Sequence, residues 1–122
     1  MMLLEHYFEI DRVKMALNRE LRLSESEMLT IHFAVKELKK SRPIQYVMGC
    51  AEFCGLNFKV DESVLIPRPE TEEMVNMIVN DCQHLKDKKI KIWDLGTGSG
   101  CIAISLAKAF PNSEMMACGS IK

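Results

Sequence analysis

A chain of 122 residues, 48% hydrophobic and 27% charged, has the composition of a globular domain and not of a disordered or fibrous segment. Its formal charge of −1 gives no electrostatic footprint for a polyanion, so no direct nucleic-acid partner is expected. No apolar run approaches the roughly 18 residues of a membrane span. The start, Met1-Met2-Leu3-Leu4-Glu5-His6, has neither a basic head with a cleavage site nor the arginines of a transit peptide, so the expected location is the cytoplasm.

Residues 1–41 are expected to be helical in two pieces. Leu3, Leu4, Tyr7, Phe8, Met15 and Leu21 supply imperfect apolar spacing for the first, with a break near 18–23. The second is clearer: Ser24 with Glu27 forms a capping box, and Ile31, Ala34, Val35 and Leu38 recur at i, i+3, i+4 and i+7. Lys36, Lys39, Lys40 and Arg42 gather where cations favour the helix dipole, and Pro43 is expected to end the element.

The texture then changes. Tyr46-Val47-Met48 and Glu52-Phe53-Cys54 look like short strands around Gly49, and 51–60 reads as a hairpin turning at or near Gly55-Leu56. Val64-Leu65-Ile66 runs into Pro67-Arg68-Pro69, which stiffens the entry to a helix with Met74, Val75, Ile78, Val79 and Cys82 on its apolar stripe. Glu70, Glu72 and Glu73 suit the positive end of that helix's dipole.

Residues 90–109 hold the most informative pattern. A short alternating strand from Ile90 leads to Asp94-Leu95-Gly96-Thr97-Gly98-Ser99-Gly100, and an apolar helix follows from Cys101 with Ile102, Leu106 and Ala109 on one stripe, before Pro111 stops it. A strand, a turn without Cβ atoms and a helix N-terminus together bring backbone N–H groups close to a ligand. The third glycine of a dinucleotide fingerprint would fall at Cys101, and a P-loop would need a lysine after that position, so both phosphate patterns are weakened. The Asp94 carboxylate would repel a pyrophosphate and attract an ammonium or sulfonium. S-Adenosylmethionine carries both cations and no phosphate. The bland alternative is a turn needed only for tight strand-to-helix packing.

Glu114 to Cys118 reads as a second strand. Cys50, Cys54, Cys82, Cys101 and Cys118 are an odd set without a CxxC pair, which points to reduced and mostly buried thiols; His6, His32 and His84 show no metal spacing.

Three stretches carry a resemblance: Arg42-Pro43-Ile44-Gln45-Tyr46, then Ile66-Pro67-Arg68-Pro69-Glu70-Thr71-Glu72, then Asp94 to Gly100. The last alone resembles motif I of many Rossmann-like methyltransferases. In this order and spacing, over about residues 20–118, they resemble the HemK/PrmC family of protein methyltransferases. The resemblance implies methyl transfer from S-adenosylmethionine to the glutamine amide of the GGQ motif in class I peptide-chain release factors. It also implies an α/β fold: a helical domain at 1–45, a β-hairpin linker at 46–66, and from 67 to 122 the first β-α-β part of a Rossmann-like domain. Asp94, Leu95, Gly96, Thr97, Gly98 and Gly100 would be cofactor-site residues, with Pro67, Arg68, Glu70 and Thr71 at the cavity's rim, and a monomer is expected.

The departures are as specific. The family's catalytic NPPY motif would lie beyond Lys122, and the family's helical domain is usually longer, so the resemblance implies a shortened chain, catalytically silent by itself. The acid that should close the second strand and hold the ribose is replaced by Gly119, and Glu114 stands at the wrong end. With only two strands, Ile90, Ile92 and Trp93 would keep an unpaired edge and an apolar flank, and marginal stability is expected. A non-catalytic protein-binding module is the competing expectation, and a nicotinamide oxidoreductase a distant third.

Overall fold

The computed structural model describes residues 1–120 and divides into two compact units, one of Met1–Met48 and one beginning at Gly49. The first unit is helical: α1 (Met2–Phe8), α2 (Arg12–Leu17), α3 (Glu25–Lys39) and α4 (Ile44–Met48). The single first helix expected from sequence is two. Glu9 takes a left-handed φ of 54° and its N–H returns to the last turn of α1, while the Asp11 carboxylate caps α2 by accepting from the Lys14 N–H at 2.7 Å. The break buries Ile10 between the two helices. The capping box of α3 is present: Ser24 Oγ accepts from the Glu27 N–H, and the Glu27 carboxylate accepts from the Ser24 N–H at 2.7 Å. On its stripe Ala34 is buried and Ile31 and Leu38 are half-buried, whereas Val35 is exposed.

Tyr46-Val47-Met48 is helical and not a strand. The Pro43 carbonyl accepts from the Tyr46 and Val47 N–H groups at 3.1 Å each, so proline, whose φ suits a first turn, opens α4 where it was expected only to end α3. The chain turns before it instead, at Ser41 with φ 62°. Tyr7 Oη donates to the Val47 carbonyl at 3.3 Å, which ties α1 to this turn.

The second unit opens on an antiparallel hairpin, β1 (Cys50–Phe53) and β2 (Leu56–Lys59), with Phe53 opposite Leu56. The turn is Cys54-Gly55, one residue earlier than expected, and both residues have positive φ, 49° and 72°, as a primed two-residue turn requires. Alternation puts Ala51, Phe53, Phe58 and Val60 inside, and the Phe53 and Phe58 rings meet edge-to-face at 6.2 Å. Burial contributes roughly 1.5–3 kcal/mol for each ring, and their geometry about 1 kcal/mol more.

Helix α5 (Pro69–Asp81) follows with Pro69 in its first turn; Val75 is buried and Ile78, Val79 and Cys82 are half-buried, but Met74 is exposed and off the inner stripe. Glu72 Oε1 accepts from the Cys54 N–H at 3.0 Å and so holds the hairpin turn against α5. A short 3-10 turn (Gln83–Leu85) leads on to β3 (Lys91–Leu95), α6 (Cys101–Ala109) and β4 (Glu114–Cys118). β3 and β4 are parallel, in register from Lys91 opposite Glu114 to Leu95 opposite Cys118, which makes β3-α6-β4 a β-α-β unit. Phe53, Phe58, Val75, Cys101, Leu106 and Phe110 form the core, and Ile92 and Met115 pack against it from the sheet. The opposite sheet face is open, with Trp93 65% and Leu95 74% exposed. Ile92 therefore belongs to the core side, and only Trp93 fits the expected bare flank. Of the five cysteines, expected to be mostly buried, only Cys101 is; Cys50, Cys54 and Cys82 are half-buried and Cys118 is exposed.

Candidate functional site

The second unit carries the site. β3 ends at Leu95, and the chain must reverse into α6 within five residues. Gly96, Gly98 and Gly100 do so at φ 78°, 56° and 81°, a region that L side chains occupy at a cost, which is why the turn needs glycine at every second position. The end of β4 fastens it: the Cys118 carbonyl accepts from both the Gly96 N–H (2.7 Å) and the Thr97 N–H (3.0 Å). The Gly100 N–H closes the turn on the Thr97 carbonyl at 2.9 Å.

Asp94 stands behind this turn, half-buried. Its Oδ2 accepts from Thr97 Oγ1 at 2.9 Å and from the Ala103 N–H, in the first turn of α6, at 3.2 Å. The carboxylate thus caps α6 from a neighbouring strand and fixes the turn at the same time. The sequence pattern suggests a charge facing a ligand; the structure shows that one of its two oxygens is committed to the fold.

These bonds narrow the set of donors that the turn offers. Gly96, Thr97, Gly100 and Ala103 spend their N–H groups internally, whereas those of Gly98, Ser99, Cys101 and Ile102 have no partner among the described residues. All four residues line one cleft of about 170 Å³. Its other wall is 65–68 with Thr71, so the Pro-Arg-Pro stretch and the glycine turn, almost 30 residues apart in sequence, face the same space. Drug-sized ligands occupy roughly 300–1,000 Å³, so the cleft holds one end of such a ligand.

Of the residues expected at the site, Arg68, Thr71, Gly96, Thr97 and Gly98 line the cleft together with Pro67. Asp94 and Gly100 shape the turn without lining it, and Gly100 is the N-cap residue of α6. Glu70 is exposed at the start of α5 and does not line the cleft, and the Leu95 side chain points to the open sheet face. Sequence reasoning did not single out Ser99, Cys101 and Ile102; their signal is the unpaired N–H that any residue at a turn-to-helix junction carries. Nor did it assign Glu72 its bond to the hairpin turn.

Elsewhere in the unit, burial raises the Cys54 thiol above its ordinary range; the facing Ser105 hydroxyl opposes this and Glu72 adds to it. Among the described residues no three His, Cys, Asp or Glu side chains gather as a metal site would need, and no helix is long and apolar enough to cross a membrane.

Residues 1–49 match the model of the PrmC N-terminal domain. The match includes the first 19 residues, which lie outside the stretch marked by the motifs. Over 94% of its length the chain is 45% identical to the release factor glutamine methyltransferase of Flavobacterium psychrophilum. It is 42% identical over 87% of its length to that of Bacteroides thetaiotaomicron, and 49% identical over 79% to that of Lactococcus lactis. The chain covers 41%, 37% and 34% of those proteins respectively, that is, about a third to two fifths of each relative.

Proposed function

We propose that this chain, which carries the PrmC N-terminal domain and resembles release factor glutamine methyltransferases over almost all of its length, serves the methylation of the GGQ glutamine in class I peptide-chain release factors. The observation that carries the reading is the single cleft shared by Arg68, Thr71 and the turn from Gly96 to Ser99. Those groups fit one end of S-adenosylmethionine. Arg68 and the unpartnered N–H groups of Gly98, Ser99, Cys101 and Ile102 suit a carboxylate, and Asp94, which does not line the cleft, contributes by holding the turn in shape. Gly96 and Gly100 hold the turn open, and Leu95 takes part through its backbone alone. Glu70 takes no part through its side chain.

When bound in the cleft between Arg68, Thr71 and the glycine turn, the cofactor would supply a sulfonium-activated methyl group for transfer to an amide nitrogen. The chain's own contribution in this reading is to orient the donor's amino-acid end against a turn that the Cys118 carbonyl and the Asp94 carboxylate fasten. The β3-α6-β4 unit is the start of a Rossmann-like sheet, preceded by a helical domain that runs through Met48, three residues beyond the expected 45, and by a hairpin linker from Gly49 to Ile66. The protein acts in the cytoplasm, as a monomer, on a protein substrate and without direct nucleic-acid contact.

Calorimetric titration of the chain with S-adenosylmethionine and with NADH tests the reading. We expect heat with the first alone, and about tenfold or greater weakening in Gly98→Val, because a β-branched residue at φ 56° deforms the turn. NADH binding without a response to S-adenosylmethionine would restore the oxidoreductase.

A second reading, a non-catalytic protein-binding module, is favoured by one observation in the helical unit. Met28, Leu29 and Phe33 of α3 are 60%, 55% and 60% exposed. Capture of a release factor by the chain with no cofactor binding would select it.

A further inference from the structure

Five of the six glycines in the chain have positive φ, and Gly119 does not. A Cβ built at Gly119 would lie 3.5 Å from Thr97 Cγ2, 3.8 Å from the Thr97 nitrogen and 3.9 Å from the Gly98 nitrogen, which is ordinary van der Waals contact. Neither backbone conformation nor lack of space therefore demands glycine here. The position is nonetheless a sensitive one. Gly119 directly follows β4, whose terminal Cys118 carbonyl holds the glycine turn, so it lies at the carboxyl end of a parallel pair, where ligands of α/β sheets bind. In nucleoside-binding units of this kind an Asp or Glu some 20 residues beyond the glycine turn accepts from a ribose hydroxyl.

Among the described residues no neighbouring acid takes over that task. Glu114 is at the far end of β4, 3.7 Å from Lys91 Nζ, and Asp94 Oδ2 is occupied by Thr97 and Ala103. We infer that Gly119 is a specificity-determining position: this site accepts an adenosyl ligand without carboxylate recognition of its ribose, and so discriminates weakly at the 2′ position. The inference rests on the S-adenosylmethionine reading of the cleft.

The test is the binding of S-adenosylhomocysteine and of its 2′-deoxy counterpart to the full chain, to Gly119→Asp and to Gly119→Ala. The parent chain should bind the two ligands within about threefold of each other, Gly119→Ala should keep that ratio, and Gly119→Asp should widen it to roughly ten- to a hundredfold through a charged hydrogen bond. Gly119→Glu serves in the same role if Gly119→Asp does not fold. A parent chain that already prefers the ribose ligand by more than about tenfold would overturn the inference and leave the cofactor reading intact. So would an alanine variant that gains as much as the aspartate one. Binding of neither ligand to any variant would overturn the cofactor reading, and this inference with it.

Discussion

Replacing Asp94 separates two roles that the sequence pattern merges. If the carboxylate served only to attract a cationic ligand, Asp94→Ala would weaken binding and leave the unliganded chain as stable as before. The structure predicts otherwise, because Oδ2 accepts from Thr97 Oγ1 at 2.9 Å and from the Ala103 N–H at 3.2 Å. A hydrogen bond to a charged acceptor contributes about 1.5–3 kcal/mol, and the half-exposed setting of Asp94 puts each bond at the low end or below. A negative group at the helix N-terminus contributes about 0.3–1 kcal/mol more. Asp94→Ala should therefore cost about 2–3 kcal/mol, and with a urea m-value of about 1–3 kcal/mol/M its unfolding midpoint should fall by about 1 M. Asp94→Asn keeps an oxygen acceptor and loses the charge, so it should lose about half as much. A cycle with Thr97→Val should return a coupling of about 0.5–1 kcal/mol, since one bond is shared. Urea unfolding followed by far-UV circular dichroism reads all of these. An alanine variant within about 0.3 kcal/mol of the parent would refute the capping role and return Asp94 to ligand attraction alone.

Two other side chains give independent checks. Ser105 Oγ is buried and faces the Cys54 thiol, a weak partner, with no full hydrogen bond among the described residues, so Ser105→Ala should leave stability unchanged or raise it by about 0.5–1.5 kcal/mol, from relief of a poorly satisfied hydroxyl and better helix propensity; a loss above about 1 kcal/mol in urea would mean that the hydroxyl is well partnered after all. Glu27 should make α3 sensitive to acid. The Ser24 N–H and then its hydroxyl hold the Glu27 carboxyl below its ordinary range. A depressed carboxyl stabilises the folded form above its unfolded value, and that stabilisation fades as pH falls through the ordinary carboxylate range. Amide exchange at the start of α3, followed from about pH 6 to pH 3, should quicken beyond the intrinsic trend in the parent and not in Glu27→Gln; identical profiles would remove the capping box from the acid response.

Much of the architecture follows from local chemistry and was legible residue by residue. Ser24 with Glu27 marks the start of α3, Pro69 opens α5, alternating residues at 51–60 make the hairpin, and the apolar run after Gly100 is α6. Each depends on contacts within a few positions, which a sequence states directly. Tyr46-Val47-Met48 shows where that fails: three residues of β-type lie in a helix because Pro43 sets the backbone and the Val47 carbonyl meets Tyr7, 40 positions away.

The candidate site divides along the same line. Sequence alone located the turn from Gly96 to Gly100, whose three glycines permit, without strain, the left-handed backbone found there at alternate residues. Tertiary structure decided which of its N–H groups remain for a ligand, because their competitors, the Cys118 carbonyl and the Asp94 carboxylate, belong to two different strands. It also decided that Arg68 and Thr71 share a cleft with that turn while Glu70, between them, does not. Residues one position apart on a helix point about 100° apart, so which of them reaches a cavity depends on how the helix packs, and a pairing across almost 30 residues has no signature in either local sequence.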